Sequence, residues 1–210
     1  MTLPRLYAIL DVETLQARNF PAVKAAQSML DGGAQILQWR CKLPPARALF
    51  QHAEEIAALC RRFHAQFIVN DRADLALLLD AGLHLGLDDL PPHHARGILS
   101  SAAPIGFSTH NREQLLAAAS EPINYLALGP IFSTASKLNP DPEVGLRQLQ
   151  QWRTLTSLPL AAIGGITRKN CLAVFDSGAD SVAVISDLLP DDLTTDRIRR
   201  RVQEWRSLTG

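Results

Sequence analysis

Cysteine is scarce in this chain: Cys41, Cys60 and Cys171 are three residues among 210. Their number is odd, their spacings are wide and no C-x-x-C pair occurs. A disulfide framework and a structural zinc site are both disfavoured, and a reducing compartment is expected. Long apolar runs are missing too. None is long enough to span a bilayer, and the first ten residues lack an apolar segment followed by a small-residue cleavage site. The expectation is a cytoplasmic protein with no membrane partner. Excess charge of one sign is also absent. Lys plus Arg and Asp plus Glu number 21 each, so the charge balance predicts no nucleic acid as partner. Any anion binding must be local, built by a few residues in a pocket. Glycine, finally, is missing from Leu10-Asp11-Val12-Glu13 after the first apolar run. That counts against an open doubly wound sheet, which needs a Gly-rich phosphate turn there.

What is present is regular. Hydrophobic residues make up 47% of the chain, enough to exclude disorder and to build one full core. Short apolar, β-branched runs predict strands at 6–10, 35–39, 67–69, 83–85, 104–107, 125–128, 160–163 and 181–185. Amphipathic stretches between them predict helices at 21–30, 46–63, 75–80, 93–99, 112–119, 146–155, 169–176 and 196–205. Continuously apolar strands alternating with helices point to a parallel sheet buried on both faces. Eight such repeats predict an α/β fold, a single (β/α)8 TIM barrel occupying residues 1–210.

Polar residues collect where the predicted strands end, which is where active sites of this fold lie. Gln38, Arg40 and Lys42 follow strand two and share one side if the strand runs through them. Asn70 and Asp71 follow strand three. Gly86, Asp88 and Asp89 follow strand four, and Ser108, Thr109 and His110 follow strand five. Ser133, Thr134, Ser136 and Lys137 lie in the loop after strand six, Gly164-Gly165 follows strand seven and Ser186 follows strand eight. Arg40 and Lys42 suit a phosphate or pyrophosphate. Asp71 and Asp89 end neighbouring strands and can share Mg2+ with substrate phosphates. The glycine turn after strand seven and the start after strand eight suit a second phosphate. The expected partners are small phosphorylated substrates. Oligomeric state stays open, a homo-oligomer included.

At this point the residues resemble the thiamine phosphate synthases. Gln38-Trp39-Arg40-Cys41-Lys42 resembles their Q-x-R-x-K stretch, and Asn70-Asp71-Arg72 their N-D-R turn. His84-Leu85-Gly86-Leu87-Asp88-Asp89 resembles H-x-G-Q-x-D, and Ser108-Thr109-His110 matches S-x-H. Residues 129–137 resemble G-P-x-F-x-T-x-T-K, residues 163–166 match I-G-G-I, and Val184-Ile185-Ser186 resembles the last strand end. The motifs run in order from residue 6 to 186. The resemblance implies a transferase joining a pyrimidine methyl pyrophosphate to a thiazole phosphate with Mg2+, releasing pyrophosphate. Gln38 would hold the pyrimidine. Arg40, Lys42, Asn70 and Lys137 would hold the pyrophosphate, and Ser108 would hydrogen-bond it as it leaves. Asp71 and Asp89 would ligate Mg2+. Thr134, Ser136, Gly165, Ile185 and Ser186 would bind the thiazole phosphate. Arg40, Lys42, Ser108 and Lys137 would carry the catalysis.

The chain departs from that pattern at Leu87, where Gln is usual, at Cys41, at Ser133 and Ser136 in the loop, and at Leu10. Two other readings fit the same barrel. One is a thiazole tautomerase using His110 for proton transfer. The other is a barrel that binds a thiamine precursor without turnover. Asp89, Gln38 and Lys42 favour the synthase over the first, and Asp71, Asp89, Arg40, Lys42 and Lys137 favour it over the second.

Overall fold

The computed structural model describes residues 1–134 and 141–209. The chain starts with β1 (Leu6–Asp11), α1 (Val12–Ala17), α2 (Ala22–Asp31) and β2 (Ile36–Arg40). It continues through α3 (Arg47–Arg62), β3 (Gln66–Asn70), α4 (Ala73–Leu78), β4 (Gly82–Leu85), α5 (Pro92–Ile98) and β5 (Ile105–Thr109). The second half adds α6 (Arg112–Ala117), β6 (Tyr125–Leu128), α7 (Gly145–Arg153), β7 (Leu160–Ile163), α8 (Cys171–Asp176), β8 (Ser181–Val184) and α9 (Thr195–Thr209). The strands pair in parallel in chain order, and β8 closes on β1 through Leu6 opposite Val182 and Ala8 opposite Val184. The predicted (β/α)8 barrel is therefore the observed fold. No helix among the described residues is long and apolar enough to cross a membrane.

Alternation along the strands divides the core in two. One set of side chains, including Leu6, Ala8 and Leu10 of β1, packs outward under the helices together with Trp39, Leu83 and the fully buried Trp205 of α9. The other set fills the barrel: Tyr7, Ile9, Ile36, Ile68, Tyr125, Ala127, Ala161 and Ala183, with Leu3 below them. Each buried aliphatic side chain contributes about 1.5–3 kcal/mol from water exclusion. The interior set is uneven. Tyrosines stand on β1 and β6, while β7 and β8 supply alanines, so space remains on that side.

Two local features depart from the sequence reading. The segment after β1 is helical, not a loop. Asp11 is extended at the N-cap of α1, and its carboxylate accepts the Thr14 N–H at 2.9 Å and the Thr14 hydroxyl at 2.6 Å. That satisfies an orphan donor of the first turn. Second, β2 stops at Arg40, so strand alternation does not extend to Lys42. Lys42 is tethered instead, its backbone N–H donating to Glu13 of α1 at 2.6 Å.

Candidate active site

A cavity of about 440 Å³ opens at the C-terminal ends of the strands. Of the residues expected there, Gln38, Arg40, Lys42, Asn70, Asp71 and Asp89 line it from the β2–β4 side. Ser108, Thr134, Gly165, Ile185 and Ser186 line it from β5 onward. Ser136 and Lys137 lie outside the described residues. The chain also has a shallower groove on the helical exterior, between Val23, Lys24, Glu55 and Arg62. It gathers none of the strand-end residues.

On the β2–β4 side every long cation already has a carboxylate. Arg40 lies opposite Asp11 in the β1–β2 register, and the two form an ion pair. Lys42 is ion-paired to Asp71. Asp71 itself has a left-handed backbone, φ 65°, a conformation that non-glycine residues adopt rarely and Asn or Asp most readily. It does not cap α4, whose N-cap is Arg72. The turn instead delivers its side chain into the cavity. Burial pushes the Asp71 carboxyl up; Lys42 opposes this, and the adjacent Asp89 carboxylate adds to it. Asp89 is held by the Gly86 N–H, which donates to it at 2.6 Å.

Two facing carboxylates, one of them disfavoured as an anion, make a place a divalent cation would relieve. Among the described residues no group of three or more His, Cys, Asp or Glu gathers. The site therefore fits a cation that takes most of its ligands from phosphate and water, as Mg2+ does, better than one enclosed by protein.

The opposite side is built from backbone. Gly164 and Gly165 turn with φ 98° and 63°. The loop after β6 packs onto that turn: Ile131 N–H donates to Ile163 O at 2.8 Å and Phe132 N–H to Gly164 O at 3.1 Å. A Cβ on Gly165 would lie 2.5 Å from the Ser133 carbonyl oxygen, so both conformation and space require glycine there. This packing brings the residue before Thr134 against Gly165. The Gly165 N–H meets no acceptor among the described residues, which leaves it available to an anion.

Between the two sides runs a buried chain of hydrogen bonds that strand-end reasoning did not find. Gln38 Nε2 donates to Tyr7 Oη at 3.0 Å, and Tyr7 Oη lies 2.7 Å from Tyr125 Oη. Tyr125 Oη lies 3.1 Å from His84 Nδ1, and His84 Nε2 lies 2.9 Å from Ser108 Oγ. Burial lowers the His84 pKa to about 4, so the ring is neutral at physiological pH. Tyr7 and Tyr125 are the only tyrosines of the sequence. The signal available was their parity: each occupies an inward position among aliphatic neighbours on its strand.

Other marked residues take ordinary places. His110 donates from Nδ1 toward the Gly129 carbonyl at 2.5 Å and lies 3.5 Å from Asp141. Burial raises the Cys41 thiol and outweighs the nearby Arg40, so Cys41 is not an activated thiolate. His93 and His94 lie at the start of α5 on the surface, their rings tilted to each other with centroids 4.2 Å apart.

A family profile described as thiamine monophosphate synthase matches residues 6–188. The thiamine-phosphate synthase of Koribacter versatilis is 48% identical over 194 residues, covering 91% of this chain and 92% of its own. That of Chlorobium phaeovibrioides is 46% identical over 184 residues, covering 87% and 85%. The solved structure of thiamine phosphate pyrophosphorylase from Pyrococcus furiosus superposes with a TM-score of 0.83 at 32% identity, over 98% of this chain and 95% of that one. The match runs from β1 to the turn after β8, the span that carries every strand end around the cavity, and on that ground the chain belongs to the thiamine monophosphate synthase family.

Proposed function

We propose that this cavity joins 4-amino-2-methyl-5-hydroxymethylpyrimidine pyrophosphate to 4-methyl-5-hydroxyethylthiazole phosphate, giving thiamine phosphate and pyrophosphate. One observation carries the reading. A single cavity has cations and paired carboxylates at one end and the Gly164-Gly165 turn at the other, and we read that turn as the second anion site. A substrate with a pyrophosphate and a partner with a monophosphate would occupy those ends with their reacting atoms between them.

The bond from the pyrimidine methylene carbon to the pyrophosphate oxygen breaks, and its electron pair leaves with the pyrophosphate. The thiazole nitrogen lone pair forms the new C–N bond and leaves the ring cationic. No proton need move at either atom, so the protein's task is to orient two substrates and to stabilise charge on the leaving group. Arg40 and Lys42 do this together with Asn70 and the Ser108 hydroxyl. Lys42 exchanges Asp71 for the pyrophosphate, and the same exchange opens Asp71. Asp71 and Asp89 would hold Mg2+, which supplies positive charge to the pyrophosphate oxygens when bound. Gln38 meets the pyrimidine. Gly165, Thr134, Ile185 and Ser186 meet the thiazole phosphate, and Ser136 and Lys137, two and three positions after Thr134 in the sequence, would act with the phosphate and the pyrophosphate.

Purified protein given both substrates and Mg2+ is expected to form thiamine phosphate, detected by chromatography, in equal amount to pyrophosphate. Isomerisation of a thiazole precursor without that product would contradict the proposal. Gly165→Ala is expected to raise the KM for the thiazole phosphate by roughly tenfold or more, because its Cβ forces the turn away from its anion. The KM for the pyrimidine pyrophosphate should change far less, and equal effects on both would count against separate anion sites.

A further inference from the structure

The buried chain from Gln38 to Ser108 has a direction, and the direction follows from counting donors. A carboxamide nitrogen can only donate, so Gln38 Nε2 fills one acceptor position on Tyr7 Oη. The Tyr7 hydroxyl hydrogen must then find its own acceptor, and Tyr125 Oη stands at 2.7 Å in a fully buried place. Tyr125 Oη, having accepted, passes its hydrogen to His84 Nδ1 at 3.1 Å. A ring whose Nδ1 accepts from Tyr125 keeps its one N–H on Nε2, where it donates to Ser108 Oγ at 2.9 Å. The Ser108 hydroxyl hydrogen has no further partner among the described residues and faces the cavity its residue lines. At the other end Gln38 Oε1 makes no hydrogen bond to the described residues, and Gln38 also lines the cavity. Reversing the chain while Gln38 Nε2 donates would leave the Tyr7 hydroxyl hydrogen buried with no acceptor.

We propose that Tyr7 and Tyr125 are positioning residues that lock His84 as the Nε2–H tautomer, so that the cavity presents a hydrogen-bond donor at Ser108 and an acceptor at Gln38. The site therefore selects a ligand with a donor, such as an exocyclic amine, toward Gln38, and an acceptor, a ring nitrogen or phosphate oxygen, toward Ser108. This rests on the reading of the cavity as a synthase site, but the tautomer itself does not. Each tyrosine acts through its hydrogen-bonded neighbour, Tyr7 through Tyr125 and Tyr125 through His84. Gly106 belongs to the device. It faces Tyr125 in the β5–β6 register, and a Cβ there would lie 2.0 Å from the Tyr125 ring.

The test is a 15N spectrum of the histidine rings of the intact protein at neutral pH, with the His84 signals assigned by their loss in His84→Gln. The expected result is an unprotonated Nδ1 and a protonated Nε2 in the unsubstituted protein. Tyr125→Phe should mix the two tautomers and lower kcat by roughly tenfold, with the KM for the thiazole phosphate unchanged. An Nδ1–H tautomer in the unsubstituted protein overturns the proposal, and so does a Tyr125→Phe spectrum identical to it. The spectrum of the unsubstituted protein decides the direction even if Tyr125→Phe does not fold. The predicted tautomer in a protein that makes no thiamine phosphate would leave this inference standing and remove the synthase reading.

Discussion

Asp71→Asn is expected to lower turnover with saturating substrates and Mg2+ by roughly 10²–10³-fold, a magnitude typical of losing a charge-stabilising group at a reacting centre. The fold should hardly respond. Asparagine tolerates the left-handed backbone that Asp71 adopts at φ 65°. The lost Lys42 pair is half exposed on the lysine side, 49%, and such pairs are worth little. Asp89→Asn should behave alike, since an amide oxygen still accepts the Gly86 N–H that holds Asp89 in place. Steady-state rates and thermal melts on both variants check this. Near-normal turnover in both would remove the carboxylate pair from the chemistry. A melting temperature far below that of the parent would show that the pair serves the fold instead.

Gly106→Ala is the change expected to cost most in stability. The new methyl would meet Tyr125 Cζ at 2.0 Å and Tyr125 Oη at 2.4 Å, and the fully buried Tyr125 ring is held in place by its hydrogen bonds to Tyr7 and His84. Overpacking of this kind costs about 1–3 kcal/mol. Pushing the Tyr125 hydroxyl off its partners costs another ~1–3 kcal/mol. In a domain of this size that corresponds to a fall in Tm of roughly 5–20 °C, measured by thermal unfolding followed by circular dichroism. A Tm within a degree or two of the parent would mean that the ring relocates at no cost.

The barrel was legible because its signal is repeated. Each strand is an apolar run with a helix-length interval after it, and closure in chain order leaves few alternatives. The rim was legible for a related reason: in this fold, chain position alone says which end of a strand faces the cavity, so Arg40, Asn70, Asp89, Ser108 and Gly165 could be named from where they stand. What escaped depends on tertiary contacts. Asp11 was visible as a residue, but its pairing with Arg40 needs the β1–β2 register. The helix after it hides in a short polar stretch whose cap, Asp11 to Thr14, is its clearest mark. Lys42 reaches the site from beyond its strand, through Glu13. The link between Tyr7 and Tyr125 spans 118 residues of sequence and β1 to β6 across the barrel, which no local pattern encodes.

The central claim is that one cavity unites two phosphorylated substrates with a metal. The most direct measurement is the initial rate of pyrophosphate release by the purified chain with the pyrimidine pyrophosphate, the thiazole phosphate and Mg2+ present, and with each omitted in turn. The account predicts release that requires all three and falls by roughly 10²–10³-fold in Asp71→Asn. Release that continues without the thiazole phosphate at the full rate would reduce the protein to a hydrolase of the pyrophosphate, and the absence of release with all three present would contradict the account outright.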